Sequence, residues 1–135
     1  MKIAITEHPI QPPAADSSHR DTGAELIFRG IVRDVENGMP ITALEYEHYH
    51  GMAELKLQEI ACMTIEKFKI QDIYCTHRSG LVVVGDVAVQ IVIRSKHRKE
   101  ALLAMEWFIS EMKKEVPIWK WGITQDGDRF PSGKK

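Results

Sequence analysis

The stretch ITALEYEHYHGMAELKLQEIACMTIEKFK, residues 41–69, changes its period partway along. Up to His50 it reads as a strand, with Glu45 and Glu47 alternating with Tyr46 and His48. From Met52 the repeat lengthens. Ala53, Leu57, Ile60, Ala61, Thr64 and Phe68 recur at helical spacing and predict an amphipathic helix over residues 52–69. A strand running directly into such a helix puts the chain among folds that pack helices on sheets.

Upstream, AELIFRGIVRD (24–34) alternates, with Leu26, Phe28 and Val32 on one face and Glu25, Arg29 and Arg33 on the other. Gly30 inside it suggests a bulge or a close approach by another group. Asn37-Gly38 is a strong turn signal, so residues 24–34 and 41–50 are expected to pair as a hairpin. MKIAIT at the N-terminus suggests a short first strand, and the Pro-, Ser- and Asp-rich residues 8–23 suggest a loop.

Downstream, DIYCTHR (72–78) and VAVQIVIRS (87–95) are β-branched runs bridged by SGLVVVGD, whose glycines mark turns. A second helix is expected to start near Lys96, capped by Ser95. Ala101, Leu102, Met105, Phe108, Ile109 and Met112 form its buried stripe, and Pro117 stops it. The expected fold is α+β, with two main helices packed on a mostly antiparallel sheet.

The 135 residues suit a single domain, 1–135, with a net charge of −1 and 44% hydrophobic content. Near-neutral charge argues against nucleic acid or an anionic membrane as partner. No apolar run approaches a membrane span, and the N-terminus lacks the long apolar core of a signal peptide. Cys62 and Cys75 form neither a C-x-x-C pair nor a disulfide framework. Both look like packing residues in a cytoplasmic protein.

Basic residues supply the candidate chemistry. The first turn of the second helix would offer free amides to an anion, with His97 and Arg98 adding charge there. Because basic residues oppose the helix dipole, they carry a local cost that an anionic ligand would explain; a solvated basic turn is the plainer alternative. Lys113 borders the apolar stripe at the other end of that helix, and Arg33 ends a strand. EVPIWKWG (115–122) places Lys120 between two of the three tryptophans, either as an amphipathic edge-strand residue or at the wall of a binding site. If the fold gathers these residues, the pocket suits a small phosphorylated molecule better than a polymer. His48-x-His50 puts two imidazoles on one side of a strand, but no cysteine or carboxylate spacing completes a zinc set, so no metal site is expected. Glu45 and Glu47 suit either an acid–base pair or an exposed strand face.

In order and spacing, GAELIFRGIVRD, LEYEHYHGMAE, THRSG followed by VGD, SKHRKEA and VPIWKW resemble the large, catalytic subunit of molybdopterin synthase. The resemblance runs from about residue 23 to residue 130. It implies an α/β hammerhead fold and a homodimer at the centre of a heterotetramer. Each copy would bind a small ubiquitin-like sulfur-carrier subunit whose C-terminal Gly-Gly carries a thiocarboxylate. That sulfur would pass to cyclic pyranopterin monophosphate, building the dithiolene with no resident cofactor and no cysteine of this chain.

Position by position, the resemblance implies Lys113 and Lys120 as catalytic, with Arg33, His97, Arg98 and Phe28 holding the substrate. Two departures stand out. The family usually follows its Trp-Lys with a basic residue and a glutamate, where this chain has Trp121 and Gly122. Many members also carry a longer basic tail, for which Lys134 or Lys135 would have to substitute. A non-catalytic anion-binding or adaptor domain of the same fold is therefore the alternative, with Gly122 as its symptom.

Overall fold

The computed structural model describes residues 1–13 and 20–134; residues 14–19 of the expected loop and Lys135 lie outside the described residues. In chain order the elements are β1 (Lys2–Thr6), β2 (Ala24–Ile31), β3 (Val35–Glu36), β4 (Met39–Pro40), β5 (Ala43–His48), α1 (Met52–Phe68), β6 (Asp72–Arg78), β7 (Gly80–Val83), β8 (Val87–Ser95), α2 (Arg98–Glu115), β9 (Ile118–Ile123) and β10 (Arg129–Lys134). They form an α+β fold with two four-stranded sheets, ordered β1-β6-β8-β2 and β10-β9-β5-β7, and a β3-β4 ribbon. Only the β1–β6 pair is parallel; every other described pair is antiparallel.

The first sheet is built around β8. Its run of Val and Ile is buried from Ala88 to Ser95, as expected of a central strand covered on both faces. One helix packs against the other, α2 lies over β2 and β8, and α1 lies over β1 and β6. Ala53, Leu57, Ile60 and Ala61 of α1 join Ala101, Ala104, Met105, Phe108 and Met112 of α2 in one core with Ile73, Ile91 and Ile93. On the sheet's other face, Arg94 Nε donates to Glu25 (2.7 Å) and Arg29 Nε to Gln90 (3.0 Å), with the half-exposed Ile27 between them. Among the described residues no helix is long and apolar enough to cross a membrane.

Three expectations change. Residues 24–34 and 41–50 do not pair with each other: β2 lies against β8, and β5 lies between β7 and β9. The Asn37-Gly38 turn is present, with both residues at positive φ, but it closes only the two-residue strands β3 and β4. A turn fixes its own ribbon, whereas β2 is claimed by the longer apolar ladder that β8 offers. Second, Ser95 is not the cap of α2. It is still paired with Ala24 in the sheet and its hydroxyl donates to the carbonyl of His97, which is the N-cap residue and provides no side-chain cap. Third, Leu102 is 54% exposed, and Ala104 takes its place in the buried stripe.

Gly30 fulfils both expectations made of it. The β2–β8 register shifts between Gly30 and Ile31, and a Cβ on Gly30 would lie 2.8 Å from Val89 Cγ1. That bulge swings Val32 inward to a buried position and leaves Arg33 beyond the end of the ladder.

Candidate active site

Beyond the bulge, the end of β2 faces the C-terminal turn of α2 and the middle of β9. Between them lies a cavity of about 190 Å³. Phe28, Gly30 and Arg33 form one wall, Met112 and Lys113 a second, and Lys120, Tyr46 and Glu36 a third. The fold therefore gathers Phe28 and Arg33 from β2 and the turn after it with Lys113 of α2 and Lys120 of β9, which lie about eighty residues further along the chain. It does not gather His97 and Arg98, which are exposed at the opposite end of α2. At 1.5 Å per residue, the helix separates Arg98 from Lys113 by about 22 Å.

The three cations are held differently. Alternation along β9 turns Ile118, Lys120 and Gly122 to the inner face and Trp119 and Trp121 to the outer, so Lys120 is not sandwiched between the indoles. It is a wall residue. Its Nζ donates to Glu36 Oε2 at 3.3 Å, and both side chains are largely buried. Tyr46 sits directly opposite Lys120 across the β5–β9 ladder. Burial, then the negative charge of Glu36, pushes the Tyr46 hydroxyl up to about 12, so it stays a neutral hydrogen-bond donor. Lys113 is exposed at the rim and has no carboxylate partner among the described residues, and neither has Arg33. The cavity thus offers two uncommitted cations and one lysine held by a carboxylate. Nothing in the sequence pattern marked Glu36, because its strand is two residues long and its partner lies 84 positions away.

Trp121 and Gly122 have structural causes. Gly122 faces Phe130 across the β9–β10 pair, and a Cβ on it would lie 2.3 Å from Phe130 Cζ. The aromatic ring occupies the space any larger side chain would need. On the outer face, Arg129 stacks over the Trp121 ring at 3.8 Å and pairs with Glu45 at 2.6 Å, while the Trp121 indole donates to Glu47. Glu45 and Glu47 are therefore members of a surface cluster and not an acid–base pair. The backbone of Lys134 pairs opposite Trp119, so the final strand runs back along β9.

Cysteine contributes no nucleophile to the cavity. Cys75 is wholly buried, which pushes its thiol up to about 12, and Cys62 is exposed on α1, contrary to the packing role expected of it. The native protein should accordingly give one fast-reacting thiol in an Ellman titration, with the second appearing only on unfolding. Two fast thiols would contradict this burial.

The profile of the MoaE protein family matches residues 5–115. A molybdopterin synthase catalytic subunit from Pyrococcus abyssi is 34% identical over 138 aligned residues, covering 99% of this chain and 93% of the relative. The crystal structure of molybdopterin synthase from Staphylococcus aureus superposes with a TM-score of 0.81 at 36% identity, covering 93% of each chain. A complex of subunits 1 and 2 of molybdopterin-converting factor from Helicobacter pylori superposes with a TM-score of 0.71 at 26% identity, covering 84% of this chain and 73% of that one. With a match of this extent, a shared fold and a cavity at the expected positions, the chain belongs to the MoaE protein family.

Proposed function

We propose that this chain is the catalytic subunit of a molybdopterin synthase, transferring sulfur from the C-terminal thiocarboxylate of a small ubiquitin-like subunit to cyclic pyranopterin monophosphate. The observation that carries the proposal is the convergence of Arg33, Lys113 and Lys120 on one small cavity in a chain of nearly neutral charge. A phosphorylated substrate and a developing negative charge on the thiocarboxylate both call for fixed cations in a site that excludes water. In this reading Arg33 and Phe28 hold the precursor, Lys113 is the acid–base or nucleophilic lysine, and Lys120 stands beside it. The two-subunit complex from Helicobacter pylori supports a small protein partner. Gly122 gives no support to the non-catalytic alternative, because Phe130 accounts for it.

His97 and Arg98 enter through a second copy of the chain. They cannot reach the cavity of their own chain along the rigid helix, but a twofold-related copy could present the start of its α2 there. Both sheets end in edge strands that expose apolar side chains, Ile27 and Ile31 on β2 and Leu81 and Val83 on β7, which suits a homodimer. Light scattering at micromolar concentration should therefore give twice the monomer mass, and a strict monomer would remove this part of the reading.

The direct test incubates the purified chain with thiocarboxylated partner and the pterin precursor and looks for dithiolene product; its absence with a folded protein would refute the proposal. Glu36→Gln probes the wall. Gln keeps an acceptor for the Lys120 ammonium but loses the carboxylate charge opposite it, and the weakened pair is expected to lower kcat by about ten- to a hundredfold. KM for the anionic precursor should not rise, because the substitution removes negative charge from the cavity. A raised KM with unchanged kcat would place Glu36 in substrate binding instead.

A further inference from the structure

The junction between β5 and α1 brings together His48, His50 and Glu54, whose ligand atoms all lie within 4.8 Å of one another. Spacing along the strand offers the two histidines no carboxylate, and the fold provides one. Gly51, at φ +82, turns the chain sharply out of the strand, so that the third residue of the helix comes back over the strand's end. Three features set this group apart from a chance surface cluster. First, the His48 side chain is 8% exposed, and its nearest charged partner is the Glu54 carboxylate. Its Nε2 is 3.9 Å from Glu54 Oε2, too far for a hydrogen bond. Second, the Glu54 carboxylate is already oriented. Its Oε1 accepts the Gly51 N–H at 2.9 Å, which leaves Oε2 for the histidine side. Third, the His50 ring lies against that of His48, with centroids 4.1 Å apart and a 48° tilt, so the imidazoles share one side of the turn.

We propose that His48, His50 and Glu54 form a binding site for a late first-row divalent metal ion, with zinc the best fit. Two imidazoles and a carboxylate are an established zinc ligand set, and tetrahedral coordination at its usual bond lengths needs ligand atoms about 3.3 Å apart. The His48–Glu54 pair, at 3.9 Å, must close by about 0.6 Å, and no pair of the three, all within 4.8 Å, by more than about 1.5 Å, which side-chain rotation at an exposed turn can supply. Three protein ligands leave a fourth position open to water or an added ligand. His48 also lines a groove with Trp119 and Lys120, beside the strand that walls the cavity. An ion here would pin the end of β5 to the first turn of α1. It is independent of the proposed sulfur transfer and is testable without it.

The experiment titrates zinc chloride into the chelator-treated full chain by calorimetry, with cobalt(II) as a spectroscopic probe. The expected result is one tight site per chain, visible cobalt bands characteristic of low coordination number, and a higher Tm with zinc. His50→Ala removes an exposed ligand at little risk to folding. Glu54→Gln keeps an acceptor for the Gly51 N–H but loses the anionic ligand. Each is expected to weaken zinc binding by at least about tenfold, as loss of one ligand among three should. Absence of a tight site in the wild-type chain would overturn the proposal. So would wild-type affinity retained in both variants, which would assign the binding to other histidines.

Discussion

Lys113→Ala is expected to abolish turnover while the protein stays folded. Lys113 is exposed in the last turn of α2, and its removal leaves the buried stripe from Ala101 to Met112 untouched. The stability cost should be limited to its favourable interaction with the helix dipole, about 0.3–1 kcal/mol. Catalytically the lysine is the one cation at the cavity rim that carries no carboxylate and sits on a rigid helix, and an acid–base group of this kind contributes about 10²–10⁴ in rate. Single-turnover measurement of dithiolene formation alongside a thermal melt separates the two effects. A variant that keeps a near wild-type rate would transfer the catalytic role to Lys120, whose ammonium is otherwise engaged by Glu36.

Arg98→Ala should weaken precursor binding by about ten- to a hundredfold, the worth of a charge-assisted and bidentate contact to a phosphate. The effect should shrink as salt rises, because competing anions occupy the wild-type site first. Arg98 is about 22 Å along the helix from Lys113, so such an effect would have to act on the pocket of the other copy. Mixing makes this visible. At a precursor concentration too low to fill the Arg98→Ala pocket, Arg98→Ala and Lys113→Ala chains should regain activity once their dimers exchange, because one pocket of each mixed dimer keeps both residues. Calorimetry showing equal precursor affinity for wild type and Arg98→Ala would leave His97 and Arg98 as a solvated basic turn.

Local order was legible from the sequence and long-range pairing was not. Both helices follow from the recurrence of Ala53, Leu57 and Ile60 and of Ala101, Met105 and Phe108, since helical contacts are set by neighbours three and four residues apart. The pairing of β2 with β8 depends on residues about sixty positions away, and the strong turn signal at Asn37-Gly38 pointed to a nearer partner. At the site, Arg33, Lys113 and Lys120 were identifiable as candidates through the family resemblance, and the fold does bring them together. Their division into committed and uncommitted cations was hidden, because it rests on Glu36 across 84 residues. Glu54 escaped notice for a related reason. A spacing rule that stays within strands does not look for a ligand in the helix that follows.

The contact between Gly122 and Phe130 also constrains the routes by which this sequence can change. A glutamate at position 122, the residue usual in the family, would have to occupy the volume of the Phe130 ring, with its first carbon only 2.3 Å from Cζ. Gly122→Glu alone should therefore damage the β9–β10 pair, by about 1–3 kcal/mol if the clash resembles ordinary overpacking. The same substitution made after Phe130→Ala meets no such obstacle. The two positions are epistatic and the order of substitution matters: position 130 must shrink before position 122 can grow. Directed evolution at residue 122 alone should recover only glycine, whereas a library covering both residues should open the glutamate again.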